Sequence, residues 1–368
     1  MRARNLAHIR NYKLVINSNI SGAILVEEAE IKNIFIAAGP CAIESEKQIN
    51  NIAYKIGLIR DIAEHYLIDF MCRGGSWKPR TLYKDKSGEH VFEGLREEGL
   101  KIHADAAKKY SLPVVSEVMS EMDVRHFHRY LDEDIDFVQV GARTNQAYAL
   151  LYALGGTKFG VFLKSPQQGI DINESIGSLQ RLENNRERVF CPRGQKRIID
   201  PRGKETEAYL NYLKDLNESP GQHLDSRNLN NIEAIKQLRI NPYFIENEIL
   251  LCHDPSHTWG GKTDLMRRKI GESAIRAITE FDYDGIMLEV DDMSAEAICD
   301  ADQAMLITRN GVDWSKTNYR REPQIQPITF VDVVSSIMDL QGKRLGFDPL
   351  RVKSDKIELE NIRWDMES

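Results

Sequence analysis

The chain has 368 residues, 42% of them hydrophobic and 29% charged, and a net charge of −7. That mixture belongs to folded globular proteins rather than disordered or fibrous ones. No apolar run approaches the roughly 20 residues that span a bilayer, and the acidic balance argues against nucleic acid as a partner.

Cys41, Cys72, Cys191, Cys252 and Cys299 are scattered, odd in number and free of CxxC pairs. They point to a reducing, cytoplasmic setting and away from a disulfide framework or a zinc knuckle. The basic N-terminus is not followed by an apolar segment and cleavage site, so no signal peptide is expected.

In chain order, residues 1–33 read as an N-terminal extension, a short capping hairpin or helix. The first apolar run is Ile34–Cys41. Ser45 and Gln48 have capping-box spacing, and Ile49, Ile52, Ala53, Ile56, Ile59, Ile62, Ala63 and Tyr66 then form one helical stripe. Further runs, rich in Val, Ile and Phe, are Asp69–Gly75, Pro113–Val118, Asp136–Ala142, Gly160–Ser165 and Arg188–Gly194. A connector of about fifty residues, 195–247, is far longer than a normal βα loop. It reads as the sixth helix plus an insertion, with helical stretches at Glu205–Leu216 and Asn230–Leu238. The seventh run is Glu248–His257. A helix carrying Leu265, Met266, Ile270, Ala274, Ala277, Ile278 and Phe281 on one face precedes the eighth run, Gly285–Val290. Residues 311–368 form a C-terminal extension with a helix predicted at Phe330–Leu340.

Runs that are almost continuously apolar are expected of parallel strands covered on both faces. Eight strand–helix units predict a single closed (β/α)8 TIM barrel, an α/β fold, over residues 34–310. No GxGxxG follows the first strand, which counts against a dinucleotide-binding sheet.

Barrel enzymes build their sites at the C-terminal strand ends. Here those ends carry Cys41, Arg73, Glu117, Gln139 with Arg143, Lys164, Arg193, Asp254 with His257, and Glu289. Gathering so many ionisable groups is costly unless they serve a ligand. Cys41, His257, Glu289 and nearby Asp302 offer a thiolate, an imidazole and two carboxylates, a set suited to a borderline divalent transition metal. The plainer alternative makes Cys41 a small buried residue and His257 a hydrogen-bonded strand-end histidine. Arg73, Lys78, Arg80, Arg143, Lys164 and Arg193 imply anionic ligands, since guanidinium pairs with phosphate or carboxylate through two bonds. The alternative there is a set of separate surface ion pairs.

The segments Ala-Gly-Pro-Cys41, Arg73 with Lys78-Pro-Arg-Thr81, Gln139-Val-Gly-Ala-Arg143, Leu-Lys164, Cys-Pro-Arg193-Gly, Asp254-Pro-Ser-His257 and Met-Leu-Glu289-Val occur in that order. The series resembles class I 3-deoxy-D-arabino-heptulosonate-7-phosphate (DAHP) synthases and, more distantly, 3-deoxy-manno-octulosonate-8-phosphate synthases. The resemblance implies a metal-dependent transferase condensing phosphoenolpyruvate with an aldose phosphate, with release of inorganic phosphate. Erythrose 4-phosphate is the expected aldose, and arabinose 5-phosphate the alternative. It implies one divalent ion per subunit, Mn2+ first and Fe2+, Co2+ or Zn2+ as alternatives, held by Cys41, His257, Glu289 and Asp302. Arg73, Lys78, Arg143, Lys164 and Arg193, with Gln139 beside them, match the phosphoenolpyruvate cradle, and Arg80 and Thr81 match the aldose-phosphate contacts. Glu117 is the candidate for orienting the attacking water, and Asp254 for orienting His257 or a loop. A homodimer or homotetramer is implied, with no membrane or nucleic-acid partner.

The chain departs from the family pattern at Pro192, at Ser-Pro-Gln-Gln-Gly169 after Lys164, and in the long connector. It has no evident regulatory domain. A barrel that binds metabolites without turnover, and a metal-dependent hydrolase, are the readings from other classes.

Overall fold

The computed structural model describes residues 12–20, 23–79, 84, 88–166, 172–192, 232–259, 264–291, 304–309 and 327–362. The first two strands, β1 (Tyr12–Ile20) and β2 (Ala23–Ile31), pair antiparallel, so the N-terminal extension forms a hairpin. Eight parallel strands follow: β3 (Ile34–Gly39), β4 (Ile68–Gly74), β5 (Val114–Val118), β6 (Phe137–Val140), β7 (Gly160–Lys164), β8 (Arg188–Cys191), β9 (Leu250–His253) and β10 (Gly285–Asp291). Each pairs with its sequence neighbour, and β10 pairs with both β9 and β3, which closes the barrel. A two-residue strand, β11 (Met305–Leu306), adds to β10 in parallel.

Both faces of these strands are apolar for different reasons. Phe35, Ala37, Met71, Val115, Phe137, Phe162, Val189, Cys191, Leu250, Cys252 and Met287 point inward and fill the barrel. Phe162 meets Phe35 and Phe137 edge to face at centroid distances of 5.7 and 5.5 Å, an arrangement the ring quadrupoles favour. The alternate residues, such as Ile34, Ile36, Val138 and Leu163, face outward into the helical layer. The period of two along a strand assigns every residue to one shell or the other.

The helices read as their patterns predict, with local exceptions. Helix α1 (Glu46–Ala63) buries Ile49, Ile52, Ala53, Ile56, Ile59 and Ala63. Ser45 Oγ caps it by accepting from Gln48 N at 3.1 Å, while Gln48 Oε1 accepts from Glu44 N at 3.0 Å, one residue before the expected box partner. Helices α2 (Arg96–Lys109), α3 (Val124–Tyr130), α4 (Tyr148–Gly155) and α5 (Ile172–Gln180) follow β4 to β7. The Glu205–Leu216 stretch lies outside the described residues. Asn230–Leu238 resolves, from Ile232 onward, into a 3-10 turn and the short α6 (Ile235–Leu238), and α7 (Pro242–Glu246) comes next.

Strand β9 ends at His253, so the seventh run is shorter than the sequence suggested. Pro255–Trp259 is a helical turn, α8, and His257 sits on it rather than on a strand. In α9 (Asp264–Thr279), Ile270, Ala274, Ala277 and Ile278 are buried, but Leu265 is 44% exposed.

Among its described residues, the C-terminal extension holds two helices rather than one. Helix α10 (Phe330–Arg344) starts at a full capping box between Thr329 and Asp332, and α11 (Pro349–Glu360) starts at Asp348, whose side chain accepts from Leu350 N. Gln341 Nε2 donates to the carbonyls of Lys32 and Leu67 at 3.0 and 3.4 Å. Those residues precede β3 and β4, so the C-terminal turn of α10 is tied to the N-terminal end of the barrel, while its apolar face packs in the helical layer around it. Among the described residues, no helix is long and apolar enough to cross a membrane.

Candidate active site

The site grows out of the same inward-facing rows that fill the barrel. Two residues beyond Met71, Val115, Phe137, Phe162, Cys252 and Met287, on the same face, stand Arg73, Glu117, Gln139, Lys164, Asp254 and Glu289. All six are buried. The barrel interior therefore changes from hydrocarbon to polar and charged groups within one pleat at its C-terminal end.

Four of the charged members, joined by His257, pair in a continuous line across the mouth. Arg73 Nη1 donates to Pro40 O at 3.0 Å and to Glu289 Oε1 at 3.2 Å. Glu289 Oε1 lies 3.5 Å from His257 Nε2. His257 Nδ1 is 2.9 Å from Asp254 Oδ1, whose other oxygen accepts from Lys164 Nζ at 2.8 Å. Burial works against the Arg73 charge, yet Glu289, Cys41, Asp254 and Glu117 together hold its pKa above the usual value. Burial pushes the His257 pKa down to about 4, against the pull of Asp254. The imidazole is therefore neutral at pH 7, and with Nδ1–H directed at Asp254 the Nε2 lone pair faces Glu289.

Glycines make room for the polar side chains at two points. A Cβ on Gly141 would lie 1.9 Å from Glu117 Oε1. A Cβ on Gly75 would lie 2.6 Å from Lys78 Cδ and 2.8 Å from the Cys41 carbonyl oxygen. Lys78 and Cys41 therefore flank the Gly75 backbone, and both are buried. Gln139 is buried on the inner face. Arg143 is exposed, beyond the end of β6, and its Nη1 donates to Pro79 O at 2.9 Å, tying it to the loop that carries Lys78. Arg80, Thr81, Arg193 and Asp302 lie outside the described residues.

Supporting residues that sequence reasoning passed over complete the picture. Ser256 Oγ accepts from Glu289 N at 3.0 Å, and Asn145 Nδ2 donates to Lys164 O at 2.5 Å. Gln48 Nε2 donates to Asp291 Oδ2 at 3.0 Å, joining the start of α1 to the end of β10. Ser256 lies inside the Asp254–His257 motif and Asn145 two residues past Arg143, which is the signal that could have marked them. Gln48 was visible only as a cap. A cavity of about 470 Å3 adjoins the site, lined by Trp77, Lys78, Pro79, Glu93, Arg96, Glu97, Met119, Asp123 and His126.

Whether this mouth can hold a metal turns on its donors. Among the described residues, no three His, Cys, Asp or Glu side chains converge tightly enough to bind an ion alone. The His257–Glu289 pair nevertheless sets a neutral imidazole nitrogen and a carboxylate oxygen 3.5 Å apart. Two lone-pair donors facing one another in a buried site fit a shared cation, and the thiol of Cys41, near enough to Arg73 to act on its charge, is of the kind that suits a borderline one.

A closed (β/α)8 barrel with a cation-rich, carboxylate-bearing C-terminal mouth defines an enzyme of the TIM-barrel class that handles anionic substrates. The model of the DAHP synthetase I family matches residues 26–319, and the chain belongs to that family of carbon–carbon bond-forming transferases. A phospho-2-dehydro-3-deoxyheptonate aldolase of Thermotoga maritima is 26% identical over 306 residues, covering 81% of this chain and 74% of that protein. The crystal structure of the phospho-2-dehydro-3-deoxyheptonate aldolase (DAHP synthase) of Thermotoga maritima shares the fold with a TM-score of 0.58 at 24% identity, covering 87% of this chain and 72% of that one. A truncated form of the 3-deoxy-D-arabino-heptulosonate 7-phosphate synthase from Thermotoga maritima superposes with a TM-score of 0.55 at 21% identity, covering 88% and 93%.

Proposed function

We propose that this chain condenses phosphoenolpyruvate with erythrose 4-phosphate, giving DAHP and inorganic phosphate, with one divalent metal ion per subunit. Family membership supports the reaction class, and the buried line from Arg73 to Lys164 is the observation that carries it to this chain. Arg73, Lys78 and Lys164 are three buried cations at one mouth. Glu289 and Asp254 balance two of them, and the N–H donors that these pairs leave over on Arg73 and Lys164 suit an anion with several charges. Phosphoenolpyruvate carries both a phosphate and a carboxylate. Arg143, exposed at the rim and bonded to Pro79 O, is proposed to meet ligands as they enter. Arg193 is proposed to complete the cradle, with Arg80 and Thr81 receiving the aldose phosphate.

In the reaction, the methylene carbon of phosphoenolpyruvate bonds to the aldehyde carbon, whose oxygen gains a proton. Water adds to the adjacent carbon and loses a proton, for which Glu117 is the proposed acceptor. The hydroxyl of the resulting hemiketal phosphate gives up its proton and becomes the ketone C=O as the carbon–oxygen bond to phosphate breaks and inorganic phosphate leaves. The fixed cations hold both anions in reacting geometry and balance the charge that builds on the departing phosphate. Cys41, His257 and Glu289 would hold the metal, joined by Asp302 from the carboxylate-rich segment 292–303. When bound, the ion would supply Lewis-acid polarisation of the aldehyde carbonyl.

The test is phosphate release from phosphoenolpyruvate by manganese-loaded protein, with erythrose 4-phosphate or arabinose 5-phosphate offered separately. Chelator-treated protein and Cys41→Ala serve as controls. Release that needs erythrose 4-phosphate, metal and Cys41 is expected. Release with arabinose 5-phosphate alone would move the chain to the octulosonate branch, and no release with either sugar would overturn the proposal.

A further inference from the structure

Resting on the reading above, we infer that Asp254 is a positioning residue that couples the metal centre to the anion cradle, one carboxylate oxygen serving each. Asp254 is fully enclosed, its side chain 1% exposed. Oδ2 accepts from Lys164 Nζ at 2.8 Å. Oδ1 accepts from the His257 ring nitrogen Nδ1 at 2.9 Å and lies 3.3 Å from the His257 backbone N–H, which donates to it.

The two contacts do different things. At Oδ1 the carboxylate fixes the imidazole as the Nδ1–H tautomer, so that Nε2 presents its lone pair toward Glu289 Oε1, 3.5 Å away. A carboxylate behind a ligating histidine also raises the basicity of the ligating nitrogen. At Oδ2 it holds the Lys164 ammonium in place beside the mouth. An ammonium has three N–H donors, so the bond to Asp254 leaves Lys164 with further donors to offer an anion. Asp254 stands at the end of β9 and Lys164 at the end of β7, with β8 between them, while His257 is one turn further along on α8. One side chain thus ties two strands and a helical turn at the point where both ligands are expected.

A carboxylate can serve both partners because it offers two acceptor oxygens. Asparagine has the same shape but only one, its amide nitrogen being a donor. Asp254→Asn must therefore fail at least one partner and also removes the charge that both partners feel. We expect Mn2+, titrated alone and followed by its EPR signal, to bind the variant about 10- to 100-fold more weakly than wild type. We expect phosphoenolpyruvate, titrated calorimetrically into metal-free protein, to bind at least about tenfold more weakly, as the loss of a charge-assisted contact implies. Asp254→Glu, which keeps both acceptors, should recover part of each affinity. A residue with only a structural role would lower the melting temperature and leave both affinities alone.

Affinities within twofold of wild type in folded Asp254→Asn overturn the inference, and so does the loss of one affinity without the other. If Asp254→Asn does not fold, the substitution is made in a Lys164→Met background, where no buried ammonium is left behind. Manganese must then still bind at least tenfold more weakly than to Lys164→Met alone, and equal affinity overturns the inference. Wild-type protein that binds neither probe would sink the proposed function itself, an outcome distinct from an effect-free Asp254 substitution.

Discussion

Gly141→Ala tests the role of Glu117 without touching Glu117. The added Cβ would stand 1.9 Å from Glu117 Oε1 and 3.0 Å from its Cδ, so the carboxylate must retreat by about 1.1 Å to restore even the tightest ordinary contact. The clashing atom is the far end of a flexible side chain, so a change of rotamer relieves it. The stability cost should sit at the low end of the roughly 1–3 kcal/mol typical of overpacking. Activity should respond far more, because a displacement of about 1 Å at a reacting group costs on the order of 100-fold. Steady-state phosphate release, read beside a thermal melt, separates the two effects. We expect kcat to fall by about 100-fold, with the KM for phosphoenolpyruvate nearly unchanged, in a protein that still melts cooperatively. A kcat close to that of wild type would show that the position of Glu117 is immaterial and would remove it from the mechanism.

Arg73→Met removes the cation from a pair whose side chains are 2% and 1% exposed. It should lower the unfolding free energy of metal-free protein by about 3–5 kcal/mol, and a loss under about 1 kcal/mol in denaturant titrations would contradict the pairing. Stability of the metal-free protein should fall on acidification from about pH 6.5 toward pH 4. Burial depresses the pKa values of His103, His253 and His257 to about 4, below the unfolded value near 6.5. The unfolded chain thus binds more protons across that window, and the stability these neutral imidazoles confer is lost as the pH drops through it. Asp136 opposes them, since burial raises its pKa to about 6 and folding takes up its proton. Three against one leaves a net loss, of order 2–3 kcal/mol per pH unit at most, and a flat profile of melting temperature against pH would refute it. Chelation should abolish turnover, with Mn2+ restoring it, while metal-free Cys41→Ala still binds phosphoenolpyruvate in a calorimetric titration. Full activity after exhaustive chelation would remove the metal from the account.

The barrel was legible because parallel strands covered on both faces leave uninterrupted apolar runs, and each of the eight runs overlaps a strand. The inner rim was legible too, since Arg73, Glu117, Lys164 and Glu289 break those runs at their C-terminal ends. His257 was misplaced onto a strand because Glu248–His257 reads as one segment. Pro255, well suited to the first turn of a helix, was the overlooked sign that the strand had ended. The same oversight hid α11, where Asp348 caps and Pro349 follows. Leu265 continues a helical stripe yet faces solvent, because it lies in the first turn of α9, at the edge of the layer. Of the two contacts of Asp254, the one to His257 was anticipated, three residues along the chain, but the one to Lys164 could not be read. Lys164 is 90 residues away in sequence, and only closure of the barrel brings the two strand ends together.

In the proposed reaction water attacks carbon, rather than phosphorus, once an aldose has been captured. Running the reaction in 18O-labelled water and weighing the released phosphate distinguishes the two. Phosphate without solvent oxygen is expected, released only when erythrose 4-phosphate is present. Phosphate carrying one solvent oxygen, released without any aldose, would mean that the chain hydrolyses phosphate esters and would overturn the proposed reaction.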